Sequence, residues 1–324
     1  MLPLWVADMD FQTAPEILKR LEEVVRHGIF GYSEGKEAYF RAVQNWYLEY
    51  FGWKVSRSWL VKTPGVVFAI AAAIRAFTKE GDCVMVQQPV YYPFGEVIAD
   101  NQRVLINNPL KQVNGRYVID FEDFEEKLTA NQVKLFLLCS PHNPVGRVWE
   151  EWELRKLGDI CLRHGVLVVS DEIHSDFTYR GHRHHVFANL SPEFEEITIT
   201  CTAPSKTFNL AGLQISNIFI PNPKLKRKFK EAVAATGYSE ANLMGLAACQ
   251  AEPEGTYLIW LDFRELGLTE SQREELIVNK AHLWLDSGVM FGAGGEGFER
   301  INIACPRATL EKALSQLTEA LHKV

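Results

Sequence analysis

Hydrophobic positions along the chain fall into two kinds of segment. Some are short and mostly apolar: "VKLFLLCSPHNP" (133–144) and "VLVVSDEIH" (166–174) run apolar and then stop at polar or turn-forming residues, and "EITITCTA" (196–203) is strand-like beside them. A strand apolar on both faces is buried on both, so these read as inner strands of a covered sheet. "DCVMVQQPVYYPF" reads as a shorter buried strand ending in a turn at Pro89, and "RVLINNP" as another. Between them lie helical patterns. "GVVFAIAAAIRAFTKEG" (65–81) has the small and apolar residues of a buried helix, closed by Gly81, and "DFEDFEEKL" (120–128) is an acidic helix start. "EEWELRKLGDICLRHG" (150–165) is amphipathic and stops at Gly165, "PKLKRKFKE" (223–231) is a solvated helix face, and "ATLEKALSQLTEALHKV" closes the chain as a helix. Strands alternating with helices predict an α/β fold, its mostly parallel sheet sandwiched by helices.

Composition narrows the class. A chain of 324 residues, 47% hydrophobic and 23% charged, buries a large core or two without help from disulfides. The six cysteines are scattered without CxxC spacing, which predicts reduced, buried thiols in a cytoplasmic protein and no metal site. A net charge of −7 argues against a nucleic-acid surface. The longest apolar runs are too short to span a bilayer, and "MLPLWVADMD" lacks a basic region ahead of its hydrophobic residues, so neither a membrane nor export is expected.

In such sheets ligands bind beyond the carboxyl ends of the strands. Three of those ends carry Asn143, Asp171 and Lys206. Singly, each has a plainer reading: Asn143 closes a turn, Asp171 caps one, and Lys206 sits on a solvated loop. Together they suit a pyridine aldehyde that carries a phosphate. The amine condenses with the aldehyde, the carboxylate keeps the pyridine nitrogen protonated so that the ring withdraws electrons, and the amide holds the phenolic oxygen.

The motifs occur in an order that resembles the fold-type I family of pyridoxal-phosphate enzymes, and within it the MalY/PatB-type cystathionine β-lyases. They are "PLWVADMDF" (3–11), Tyr32-Ser33 with Gly35, "TPGVV" (63–67), "QQPVYYPF" (87–94), "SPHNPVGRVW" (140–149), "SDEIHSD" (170–176), "APSKTFNLAGLQ" (203–214), "EGTYLIWLDF" (254–263) and "RINIACPR" (300–307). The resemblance implies a large domain over 28–251 and a smaller α+β domain over 252–324, with an arm, 1–27, lying across the site. It makes pyridoxal 5'-phosphate the cofactor and Lys206 the residue that holds its aldehyde and moves the substrate α-proton. Asp171 pairs with the ring nitrogen, Asn143 with the ring hydroxyl, and Tyr91 stacks on the ring. Backbone N–H groups of Gly65, Val66 and Val67, with the Ser205 hydroxyl, form the phosphate cup. Tyr32 reaches in from the neighbouring subunit of a homodimer.

Arg307 is the implied partner of the substrate carboxylate, Tyr92, His174 and Trp5 shape the side-chain pocket, and His174 is also counted among the cofactor-binding residues. Two departures from the wider aminotransferase pattern, His174 for a tyrosine and Gln214 for an arginine, belong to the lyase branch. The implied reaction is therefore β-elimination of cystathionine or a cysteine S-conjugate to pyruvate, ammonia and a thiol. Amino-group transfer is the runner-up, and a regulatory binding protein with a vestigial site comes third. One junction departs from the family: "GLAACQAEPEGTYLIWLDF" (245–263) joins segments that normally stand several tens of residues apart. The expectation is a gap or an unusually short connection near Gln250 to Pro253.

Overall fold

The computed structural model describes residues 7–9, 11–238, 241–249, 258–283, 285–287, 297–302 and 307–321. The junction at 250–253 lies outside these residues, as do Trp5 and Cys305. The chain divides into Met1–Glu252 and Pro253–Val324.

The larger unit begins with α1 (Pro15–His27), α2 (Glu37–Phe51), β1 (Leu60–Thr63), α3 (Val66–Phe77), β2 (Cys83–Val86), α4 (Pro93–Asp100) and β3 (Val104–Asn107). A small hairpin, β4 (Lys111–Val113) and β5 (Arg116–Val118), precedes α5 (Phe121–Ala130), β6 (Leu135–Cys139), α6 (Glu151–His164) and β7 (Leu167–Asp171). Then come α7 (Pro192–Ile197), β8 (Thr198–Thr202), α8 (Pro204–Thr207), β9 (Ser216–Phe219), α9 (Pro223–Ala234) and α10 (Leu243–Ala248).

Seven strands form the sheet, in the order β1-β9-β8-β7-β6-β2-β3. Neighbours from β8 to β3 run parallel, and β9 is antiparallel to both β8 and β1. Every residue of β6 and β8 is buried; β6 shows no polar alternation, while β8 alternates threonine with apolar residues and buries Thr198, Thr200 and Thr202 as well. Alternate residues of β6 feed opposite cores. Leu135 and Leu137 pack with Ile70, Ile74 and Phe229 of α3 and α9, while Phe136 and Leu138 pack with Phe124, Leu154 and Leu157 of α5 and α6. Each such side chain removed from water contributes about 1.5–3 kcal/mol. The fit is close at Gly158 of α6, where an added Cβ would lie 2.3 Å from the Phe194 ring.

Register then positions the site. Cys139 pairs with Asp171 and Asp171 with Cys201, so β6, β7 and β8 end side by side. The loops that leave these ends carry Asn143, His174 and Lys206.

Two expectations change. α3 ends at Phe77 and not at Gly81: Thr78 turns extended and its hydroxyl donates to the Ile74 carbonyl, while Gly81 (φ +83°) makes the turn into β2. Cys83 opens an inner strand yet is only half-buried, whereas Cys139, Cys161 and Cys201 are buried.

The smaller unit holds β10 (Leu258–Asp262), α11 (Glu270–Glu274), β11 (Asp286–Ser287), β12 (Phe298–Asn302) and α12 (Arg307–Leu321), its three strands antiparallel in the order β10-β12-β11. Its core is Phe263, Leu276, Ile277, Ala281, Leu317 and Ala320, beside a buried Arg273–Glu299 ion pair at 2.7 Å.

Candidate active site

Asp171 is the last residue of β7, and burial sets its chemistry. Its Oδ1 accepts the Ile173 N–H at 3.1 Å, but loss of hydration dominates and lifts the carboxyl from 3.8 to about 7, with Lys206 the weakest of the opposing influences. The next residue, Glu172, is held in place by the Ser170 hydroxyl (2.9 Å), the Phe187 N–H (3.0 Å) and His184 Nε2 (2.8 Å). Asp176 follows in the same loop, accepting from Trp46 Nε1 at 3.0 Å and from the Thr207 hydroxyl. Burial raises its carboxyl as well, against those two hydrogen bonds. Asp176 thereby ties the β7 loop to the residue beside Lys206.

Lys206 stands in α8, a single turn with Pro204 at its start, directly after β8. Its Nζ donates to the Ala7 carbonyl at 3.0 Å and lies 3.8 Å from Asp8 Oδ1. Asn143 follows β6, its N–H donating to Cys139 Sγ at 3.4 Å. Neighbouring His142 bonds the Pro89 carbonyl through Nε2 at 2.9 Å, which joins the Asn143 loop to the Tyr91 loop. Burial presses that imidazole down to about 4, so it stays neutral at pH 7. Behind it Arg147 pairs with Glu153 at 2.6 Å and stacks 4.4 Å over the Trp149 ring.

Gly65 caps α3, and Val66 and Val67 form its first turn, whose N–H groups have no acceptor within the helix. Tyr91 and Tyr92 lie 5.5 Å apart, ring to ring, at the start of α4. Burial raises the Tyr91 phenol, while Tyr92 is exposed. His174 is held below its ordinary range first by burial and then by Lys206, so it too is neutral at pH 7.

A cleft of about 480 Å³ collects these groups: Gly65, Val66, Val67, Tyr91, Tyr92, Asn143, Asp171, His174, Ser205 and Lys206 all line it. Tyr32 does not. It is 95% exposed and is not among the lining residues. Arg307 opens α12 in the smaller unit, where its Nε bonds Glu311 at 2.7 Å. Sequence reading missed Ala7, Cys139, Ile173, Ala211 and Ser216 in the lining. Cys139 and Ile173 flank the strand ends, and Ala7 belongs to the "WVADMDF" motif; these positions were the available signal. Among the described residues, no helix is long and apolar enough to cross a membrane, and no cluster of three His, Cys, Asp or Glu is placed to hold a metal ion.

Comparison with known proteins gives this geometry its context. The family model for aminotransferase class I and II matches residues 1–251. Cystathionine β-lyase PatB of Bacillus subtilis (strain 168) is 42% identical over 357 positions, covering 99% of this chain and 92% of its own. A pyridoxal-phosphate-bound structure from Clostridium difficile 630, provisionally named an aminotransferase, is also 42% identical, with a TM-score of 0.78 over 99% of this chain and 92% of that one. Cystalysin of Treponema denticola, which contains pyridoxal 5'-phosphate, is 37% identical, with a TM-score of 0.77 over 100% and 91%. The chain therefore belongs to the aminotransferase class I and II family, on its branch of PatB-like cystathionine β-lyases.

Proposed function

We propose that this protein is a pyridoxal-phosphate-dependent carbon–sulfur lyase that eliminates a thiol from the β-carbon of a sulfur-containing amino acid, cystathionine or a cysteine S-conjugate. The observation that carries the reading is one cleft that holds a lysine, a buried carboxylate, an amide and the first turn of a helix.

The lining fits the cofactor. Asp171 carries a carboxyl that burial keeps near 7, so a ring cation there would supply the charge partner it lacks. The opening N–H groups of α3 and the helix dipole suit a phosphate, with the Ser205 hydroxyl beside them. Tyr91 offers an aromatic face to a flat heterocycle, and Asn143 an amide to the ring oxygen. Gln214 brings no charge where other family members carry an arginine, which leaves more of the phosphate to the backbone.

Bound there, the cofactor supplies an electron-poor ring conjugated to the substrate α-carbon, able to take up negative charge. Lys206 Nζ removes the α-proton, and the carboxylate of Asp171 keeps the proton on the ring nitrogen. The electron pair of the broken Cα–H bond forms Cα=Cβ as the Cβ–S bond breaks, and the thiolate leaves. Neutral His174 faces the same space without adding a second cation. The enamine that departs hydrolyses to pyruvate and ammonia.

Amino-group transfer begins with the same proton removal. It is the weaker reading because PatB, 42% identical over 99% of this chain, is named a cystathionine β-lyase, and because His174 and Gln214 depart from the aminotransferase pattern. The exposure of Tyr32 supports a homodimer in which that residue serves the neighbouring cleft, and the free cysteines support a cytoplasmic location. The PatB match spans 357 positions, at least 33 more than the 324 residues of this chain. That excess supports a shortened chain, and we place the loss at 250–253. Visible absorbance tests the cofactor assignment: the purified protein absorbs near the wavelength of a lysine-bound pyridoxal phosphate and Lys206→Ala does not. A band that survives the substitution overturns the assignment.

A further inference from the structure

Residues 7–9 run past Lys206, and a single side chain holds Met9 and Phe11 in place. Asn209 Oδ1 accepts the Met9 N–H at 3.1 Å, while its Nδ2 donates to the Met9 carbonyl at 2.8 Å and to the Phe11 carbonyl at 2.9 Å. The amide thus grips Met9 by both backbone groups, as a neighbouring strand would, across 200 positions of chain. It binds backbone alone, so it fixes the path of the segment whatever its side chains are.

Asn209 is itself rigidly placed. Its φ of +55° is left-handed, a conformation that asparagine tolerates better than most residues. The turn around it is closed by Phe208 N–H to the Pro204 carbonyl and Leu210 N–H to the Ser205 carbonyl, both at 2.9 Å. Leu210 packs behind it with Ile17 of α1 and Ala248 of α10. Met9 and Phe11 are therefore anchored by Asn209 and, beyond Phe11, the chain is anchored by α1.

The consequence falls on the lysine. Ala7 lines the cleft, its carbonyl accepts from Lys206 Nζ at 3.0 Å, and Asp8 Oδ1 stands at 3.8 Å. We infer that Asn209 is a positioning residue for Lys206: it straps residues 7–9 over the amine, so that the Ala7 carbonyl and the Asp8 carboxylate hold Nζ at one edge of the cleft. Asn209 touches neither substrate nor cofactor and acts through the strap. The inference rests on the reading that Lys206 moves the α-proton. A transfer of that kind depends on placement, and a misplacement of about 1 Å costs on the order of a hundredfold in rate.

Asn209→Gly isolates the strap, because glycine keeps the left-handed backbone without strain and deletes all three hydrogen bonds. Asn209→Asp keeps the acceptor for the Met9 N–H and loses both donors. On cofactor-free protein the readouts are hydrogen exchange at the Met9 amide and reductive methylation of Lys206 followed by mass spectrometry. In the glycine variant Met9 exchange quickens about tenfold to a hundredfold and Lys206 is labelled faster, while exchange in β6 and β8 keeps its wild-type rate. The aspartate variant falls between, and it carries the test alone if the glycine variant does not fold. In the loaded enzyme, kcat falls about tenfold or more with KM within about twofold. Wild-type exchange and labelling overturn the strap whatever the turnover. Faster exchange with unchanged kcat makes Asn209 merely structural and overturns the positioning. Failure of the underlying reading shows separately, as a Lys206→Ala enzyme that still turns over.

Discussion

Asp171→Asn separates what burial does to this carboxyl from what a bound cation does. In cofactor-free protein, burial holds the folded-state value up to about 7 against 3.8 for an ordinary aspartate. Between those values the folded chain keeps a proton that the unfolded chain has released. Stability from this group therefore falls as pH rises through about 4 to 7 and levels off above. Roughly three pH units at 1.36 kcal/mol each cost about 4 kcal/mol in full, of which about 2–3 kcal/mol falls between pH 5 and pH 8. Asparagine has no proton to release, and its amide oxygen can still accept the Ile173 N–H that Asp171 takes at 3.1 Å. Urea unfolding of both cofactor-free proteins at the two pH values reads the difference. The variant gains on the wild type by about 2–3 kcal/mol from pH 5 to pH 8 and is the more stable at pH 8. With cofactor the order reverses, because the carboxylate then has a ring cation to face, and the variant binds pyridoxal phosphate about tenfold to a hundredfold more weakly. A gap between the two cofactor-free proteins that does not change with pH refutes the reasoning.

The buried Glu172 predicts a second effect. His184→Ala removes its 2.8 Å donor and empties the space of an imidazole packed 5.6 Å from the Phe51 ring, so unfolding stability falls by about 2–4 kcal/mol, read from the denaturation midpoint. His184→Gln, which can restore a donor, recovers part of that loss; no recovery shows that the cavity and not the hydrogen bond sets the cost.

The catalytic end of the fold was legible because burial leaves a clear signature. β6 and the first three residues of β7 are apolar without interruption, so Asn143 and Asp171 stood out as polar residues where such runs stop, and Lys206 as the residue after the strand-like β8. β1 and β9 were not legible, since "LVKT" and "SNIF" are four residues long and mix polar with apolar positions. The end of α3 was misread because Thr78 releases the chain before Gly81, through a hydroxyl bond that composition does not reveal. Long-range grips were equally hidden: nothing in "SKTFNLAG" says that Asn209 meets Met9, or that Thr207 meets Asp176. Tyr32 and Arg307 do not line the cleft of the larger unit, so the roles that the resemblance implies for them cannot be read there: one is expected of a second subunit and the other residue stands in the smaller unit.

The central claim is elimination by this particular chain, and pyruvate release tests it most directly. Cystathionine is supplied to the loaded protein with no keto acid present, and pyruvate is followed beside a Lys206→Ala control. The account predicts many turnovers of pyruvate per protein and none in the control. Turnover that appears only when a keto acid is added contradicts it and assigns the cleft to amino-group transfer.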